Sequence, residues 1–203
     1  MKKALLYLLF ISTSLFAMPE PYRSINVLPF DSHGWFGNAT HLDMFLKNRN
    51  IRVALEVGSW LGCSTRYIAS SLPTGGVIYA IDTWAGSPQE EVHMKDPRLP
   101  FLYQQFLSNV IHAKLTEKII PIRMRSVEAA KALQVKADLI YLDGAHDTAS
   151  VTQDILSWYP HLNTRGVMCG DDWLWDTVRV AVINCANQLG KTVHSQDNFW
   201  WYE

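Results

Sequence analysis

The chain has 203 residues, 48% hydrophobic and 18% charged, with a formal net charge of −1. That size suits one domain with one core, and a composition without repeats, low-complexity tracts or like-charge runs excludes a disordered chain and a solenoid. The near-neutral charge also argues against a nucleic-acid partner, whose phosphates require clustered Lys and Arg.

The first residues, MKKALLYLLFISTSLFAMPEP, hold two lysines, an apolar stretch from Ala4 to Ala17 broken by Ser12, Thr13 and Ser14, and a Pro-containing exit. This pattern predicts a secretory signal over residues 1–17, cleaved after Ala17, and a secreted or periplasmic product. An uncleaved membrane anchor or a misassigned start, giving an anchored or cytoplasmic protein, are the alternatives. The apolar stretch is shorter than the ~20 residues of a spanning helix. Residues 18–34 then form a leading segment and residues 35–203 the domain. Cys63, Cys169 and Cys185 are widely spaced and odd in number, so no disulfide framework is written, and Cys169 and Cys185 read as buried thiols.

In chain order, NATHLDMFLKNRN places Leu42, Phe45 and Leu46 at helical spacing, and the apolar run IRVALEVG reads as a strand. LGCSTRYIASSLP predicts a helix stopped at Pro73, and GGVIYAID a short buried strand. WAGSPQEEVHMKDPRLP has three prolines and little periodicity, which predicts a long loop of the kind that forms lids. FLYQQFLSNVIHAKL (helix), KIIPIRM (strand), SVEAAKAL (helix) and ADLIYLD (strand) continue the alternation. TASVTQDILSWYP (helix), RGVMCGD (strand) and WDTVRVAVINCANQLG (helix) follow, and KTVHS and NFWWYE close the chain as two strands around a polar turn. Alternating strands and helices imply right-handed crossovers and a mostly parallel sheet, with an antiparallel C-terminal hairpin. The predicted fold class is α/β, a three-layer, doubly wound sandwich.

Ligands of such sheets bind outside the carboxyl ends of the strands, so the strand-end residues carry the functional reading. Glu56 ends the first strand, and Gly58 and Gly62 frame a strand-to-helix turn containing Ser59. Glycines let backbone approach a ligand closely, and a helix start offers free N–H groups; a plain structural turn is the alternative. The spacing is ExGxxxG, with Trp60 where a dinucleotide fingerprint has its second glycine, which weakens a nicotinamide-linked oxidoreductase. Asp82 ends the second strand, placed either to accept bonds from ribose hydroxyls or to cap a turn. DLIYLDGAH ends in Asp143 and VMCGDDW in Asp171 and Asp172.

On these residues the chain resembles class I S-adenosylmethionine-dependent methyltransferases, and within them the metal-dependent O-methyltransferase group that includes catechol, caffeoyl-CoA and cephalosporin-hydroxylase-like members. The resemblance runs from about residue 35 to 203 and rests on LEVGSWLGCST, GVIYAIDTW, LIYLDGAHDTASVTQDILSWYPHLNTRGVMCGDDW and the final hairpin. It implies a Rossmann-like methyltransferase fold in which Glu56, Gly58, Ser59 and Gly62 line the methionine and ribose part of the cofactor. Asp82 would then bind the ribose, Ser126 would contact the adenine, and Trp84 would offer it a packing surface. Asp143 would touch the cofactor and ligate a divalent cation with Asp171 and Asp172. Catechol-type relatives often have Asn at the last of these positions, so Asp172 is a departure that adds negative charge.

Three converging carboxylates would repel one another unless a cation shared them, and oxygen-only ligands suit a hard ion, Mg²⁺ or else Ca²⁺ or Mn²⁺. Capping of a turn by Asp143 and of the following helix by Asp171 and Asp172 is the alternative. His146 stands where catechol-type relatives carry a proton-accepting Lys, which makes it the candidate base; a structural histidine is the other reading. The implied activity is methyl transfer to a hydroxyl of a small-molecule acceptor. The alternative is a methyltransferase-like protein that binds a nucleoside or a metal ligand without transfer. Export would separate such an enzyme from a cofactor made in the cytoplasm.

Overall fold

The structure is a computed structural model and describes residues 18–31 and 34–203; the signal expected at residues 1–17 lies outside the described residues. Among the described residues seven strands form one sheet: β1 (Val53–Val57), β2 (Val77–Asp82), β3 (Ile119–Arg123), β4 (Ala137–Leu142), β5 (Leu162–Gly170), β6 (Val193–Gln196) and β7 (Phe199–Tyr202). Their order across the sheet is β3-β2-β1-β4-β5-β7-β6. The first five run parallel, and β7 lies antiparallel between β5 and β6. The expected hairpin is present, with its second strand on the inside.

The helices are α1 (Ala39–Leu46), α2 (Cys63–Ser71), α3 (Glu91–Met94), α4 (Leu102–His112), α5 (Ser126–Ala132), α6 (Thr148–Trp158) and α7 (Asp176–Leu189). Apolar residues of α1, α2 and α4, such as Leu42, Ile68 and Phe106, pack in one core. Those of α5, α6 and α7, such as Ala129, Ile155 and Val182, pack in a second core on the other face, which gives the three layers. Central β4 is almost wholly buried, as an apolar run covered on both faces must be. Cys169 and Cys185 are buried free thiols.

One element differs from the sequence reading. The segment after β2 contains the single-turn helix α3, too short and too closely flanked by prolines to show a period. The leading segment is packed on the domain: Tyr22 is buried, and its hydroxyl donates to the Ile119 carbonyl at 2.8 Å. No helix among the described residues is long and apolar enough to cross a membrane.

The register of the sheet positions the site. From β1 the chain winds first to β2 and β3 on one side, then to β4 and β5 on the other, so the crevice opens where β1 and β4 meet. Val57 pairs with Leu142, and Leu142 with Gly170. The residues that follow are therefore neighbours. Asp143 N–H donates to the Val57 carbonyl at 2.8 Å and Asp171 N–H to the Leu142 carbonyl at 3.1 Å.

Candidate active site

A cleft of about 590 Å³ lies over these strand ends, a volume in the range of small-molecule sites. Its floor includes Gly58, Ser59, Asp143, His146, Asp171 and Asp172, and its walls include Trp35, Trp60, His93 and Trp175. Gly58 has φ +88°, and a Cβ there would stand 1.9 Å from the Asp143 carbonyl oxygen. Only glycine lets the turn after β1 pass so close to the end of β4.

The glycine turn is held from below. Glu56 is fully buried, and its Oε2 accepts from Ser59 Oγ at 2.7 Å and from Thr65 Oγ1, while Oε1 has no partner. Burial raises its pKa against the opposing hydroxyl bonds. Asp82 Oδ2 accepts the backbone N–H groups of Ser59 and Trp60, both at 2.9 Å, and Oδ1 accepts that of Trp84 at 2.7 Å. A carboxylate accepts about four hydrogen bonds, so little of Asp82 is left for a ribose in this conformation.

Trp84 is 2% exposed, donates its indole N–H to the Trp60 carbonyl at 2.8 Å, and packs against Tyr103 and Phe106. It belongs to the core, and the cleft does not include it. Ser126 turns inward as well: its hydroxyl donates to Asp154 Oδ1 at 2.5 Å and accepts from Trp158 Nε1 at 2.8 Å. The structure thus gathers Gly58, Ser59, Asp143, His146, Asp171 and Asp172 in the cleft and sets Trp84 and Ser126 apart from it.

The acids at this end raise one another's proton affinity. Burial, then the charges of Asp171, Asp172 and Glu56, hold the Asp143 carboxyl well above its ordinary range. Burial and Asp172 raise Asp171 in the same direction. Asp171 Oδ1 accepts the Asp172 N–H and Asn198 Nδ2, each at 2.7 Å. The ligand atoms of Asp143, His146 and Asp172 all lie within 4.8 Å of one another.

His146 is clamped at both ring nitrogens, with Nε2 2.8 Å from Asp172 Oδ2 and Nδ1 2.7 Å from Glu90 Oε1. Burial opposes its charge, but the Asp172 hydrogen bond and the Asp172, Glu90 and Asp143 charges prevail and push the ring up to about 9. The carboxylates on either side thus favour the charged ring at neutral pH unless a cation takes the place of the Nε2 proton.

Glu90 and His93, on and beside α3, are site residues that sequence reasoning passed over. His93 stacks on Trp60 with ring centroids 4.6 Å apart, and its Nδ1 is 3.4 Å from Glu90 Oε2 without hydrogen-bond geometry. Trp35 leans on both rings, at 5.8 Å from Trp60 and 5.5 Å from His93. The only signal in the sequence was a Glu and a His three residues apart in a segment already read as a lid.

The sheet order, the glycine turn and the acids at the β4 and β5 ends define the class I methyltransferase architecture. A family model described as a methyltransferase domain matches residues 55–173, more than half of the chain, and the chain belongs to that family. It is a class I S-adenosylmethionine-dependent methyltransferase. Among solved structures it is similar to an O-methyltransferase from Bacillus cereus in complex with S-adenosylhomocysteine, at 15% identity and TM-score 0.63, covering 89% of this chain and 86% of that one. It is also similar to the O-methyltransferase TomG from Streptomyces achromogenes, involved in tomaymycin synthesis and in complex with S-adenosylmethionine, at 15% identity, TM-score 0.65 and coverages of 86% and 82%. A third, assigned as a caffeoyl-CoA O-methyltransferase from Staphylococcus aureus, has 16% identity, TM-score 0.63 and 82% coverage of each chain. No curated protein sequence matches the chain.

Proposed function

We propose that the protein transfers the methyl group of S-adenosylmethionine to a hydroxyl of a small molecule bound in the tryptophan-walled cleft, assisted by a divalent cation at the acidic strand ends. The observation that carries this reading is the register that delivers Gly58, Asp143, Asp171 and Asp172 to one cleft. The donor set fits a cation, because the acids raise one another's proton affinity and a shared positive charge would relieve that. Such an ion supplies Lewis acidity that lowers the proton affinity of an acceptor hydroxyl.

The chain's own residues supply position. The Gly58 turn brings the β1 end against Asp143, and Glu56 Oε1, buried and unpartnered, is a spare acceptor beneath that turn. Trp35, Trp60 and Trp175 give apolar walls that exclude water and orient an acceptor's flat face. Calorimetry with S-adenosylhomocysteine and methyl-transfer assays with and without EDTA test the two halves separately. Loss of transfer on chelation is expected, and unchanged transfer removes the cation. Asp143→Ala is expected to abolish transfer while the protein stays folded; retained transfer refutes the assignment.

A second reading is a methyltransferase-like protein that binds a nucleoside or a metal ligand in this cleft without transfer. S-adenosylhomocysteine binding without turnover of any hydroxylated acceptor would favour it.

A further inference from the structure

The sequence suggests a cation held by three carboxylates, but the side chains are arranged otherwise. Asp171 is already satisfied by neutral and backbone donors: Oδ1 takes the Asp172 N–H and Asn198 Nδ2, and Asn38 bonds the same carboxyl. The atoms that do converge are oxygens of Asp143 and Asp172 and a ring nitrogen of His146, within 4.8 Å of one another. Bonds of about 2.0–2.4 Å allow ligand atoms on one ion to stand up to about 4.8 Å apart.

The imidazole is also oriented as a ligand must be. Glu90 accepts Nδ1–H at 2.7 Å, which fixes the ring plane and leaves Nε2 facing Asp172 at 2.8 Å. A carboxylate on the far nitrogen is the usual companion of a metal-bound histidine, fixing its tautomer and raising its basicity. Glu90 comes from the segment carrying α3, 56 residues away in sequence, so this hydrogen bond also ties the segment over the cleft to its floor. Trp175 packs on the opposite side of the ring, with centroids 4.8 Å apart.

We propose that the cation of this enzyme sits on Asp143, Asp172 and His146 Nε2, with Glu90 as the positioning carboxylate and Asp171 outside the ligand set, and that the site prefers a first-row transition dication to Mg²⁺. The inference rests on the cation-assisted reading above and changes its ligands. An imidazole nitrogen beside two carboxylates suits Mn²⁺, Fe²⁺, Co²⁺ or Zn²⁺ better than a hard ion that favours oxygen and water. His146 then acts by holding the ion, and its Nε2 is not free to take the acceptor's proton.

The test is electron paramagnetic resonance on EDTA-stripped full-length protein titrated with Mn²⁺, with no substrate or turnover involved. The expected result is an electron-spin-echo modulation from a directly bound ¹⁴N in the unaltered protein, lost in His146→Gln. Glu90→Gln should weaken Mn²⁺ binding by about 10-fold or more, as changes to such companions do, and keep the nitrogen signal. Asp171→Asn, which keeps an oxygen for the Asp172 N–H, should weaken Mn²⁺ binding less than His146→Gln does and keep the nitrogen signal. Circular dichroism verifies that the variants fold, and if His146→Gln does not, the ¹⁴N signal of the unaltered protein decides. Bound Mn²⁺ without nitrogen modulation overturns the proposal and leaves the three-carboxylate site standing. So does loss of binding in Asp171→Asn with binding retained in His146→Gln. Absence of any Mn²⁺ binding overturns the proposal and cation assistance together, while S-adenosylhomocysteine calorimetry still judges methyl transfer on its own.

Discussion

Asp154 offers a test of the structure that needs no ligand. It lies on α6, only 8% exposed, with Oδ1 accepting from the Ser126 hydroxyl. Burial, only partly opposed by that hydrogen bond, pushes its carboxyl up to about 6. The fold therefore favours the protonated form. That contribution is fully present below about pH 4, the ordinary range of an Asp, and is lost as pH rises through about 6. At about 1.4 kcal/mol per pH unit, the loss amounts to about 3 kcal/mol by pH 7.5. Asp154→Asn has nearly the same shape, keeps an oxygen for Ser126, and has no proton to lose. Urea unfolding of both proteins at pH 4, 5, 6 and 7.5 isolates the effect, because titrations common to both cancel in the difference. The variant's stability relative to the parent should rise by about 3 kcal/mol between pH 4 and 7.5, or roughly 6–12 °C in melting temperature. A difference that stays flat with pH, or that falls, refutes the argument.

Gly58→Ala should lose more than about 4 kcal/mol or fail to yield soluble protein, since a Cβ 1.9 Å from a backbone oxygen cannot be relieved by a side-chain rotation. A thermal melt within a few degrees of the parent would contradict the close approach of β1 and β4. Asn109 is fully buried and saturated: Nδ2 donates to the Asp31 and Leu61 carbonyls at 2.9 Å each, and Oδ1 accepts from Asp31 N–H at 3.0 Å and Gln105 Nε2 at 3.2 Å. Asn109→Ala leaves several buried groups without partners and should cost about 2–4 kcal/mol in denaturant unfolding; a loss below about 1 kcal/mol would mean water replaces the amide.

The strands and most helices were legible because each carries its own period or apolar run, and the strand-end rule then points to Asp143, Asp171 and Asp172. What the sequence could not show is which atoms those residues already use. Asp82 reads identically whether its oxygens face a ribose or the amides of Ser59, Trp60 and Trp84, because the choice depends on how the glycine turn folds back. Ser126 opens α5 as expected, yet its hydroxyl is drawn to Asp154 and Trp158 on α6, and a contact between helices has no local signature. Glu90 was illegible for the same reason. Its partner is His146, and the loop that brings it there has no periodicity.

Local rules are broken at the rims of the cleft, where structures tolerate strain for function. Trp60 and Asp172 both adopt left-handed backbone, with φ 45° and 61°. For a tryptophan this is disfavoured by roughly 1–3 kcal/mol unless its surroundings enforce it. They do: Asp82 takes the Trp60 N–H, and the buried Trp84 indole takes its carbonyl. That clamp lets the Trp60 ring stand in the cleft wall against Trp35 and His93. Asp172 is enforced by Asp171, which receives its N–H, and by Trp175, whose N–H takes its carbonyl. The result aims its carboxylate at His146. Asp82, Trp84 and Asp171 thus share one physical role in this fold: they hold the backbone of Trp60 and Asp172, whose side chains line the cleft.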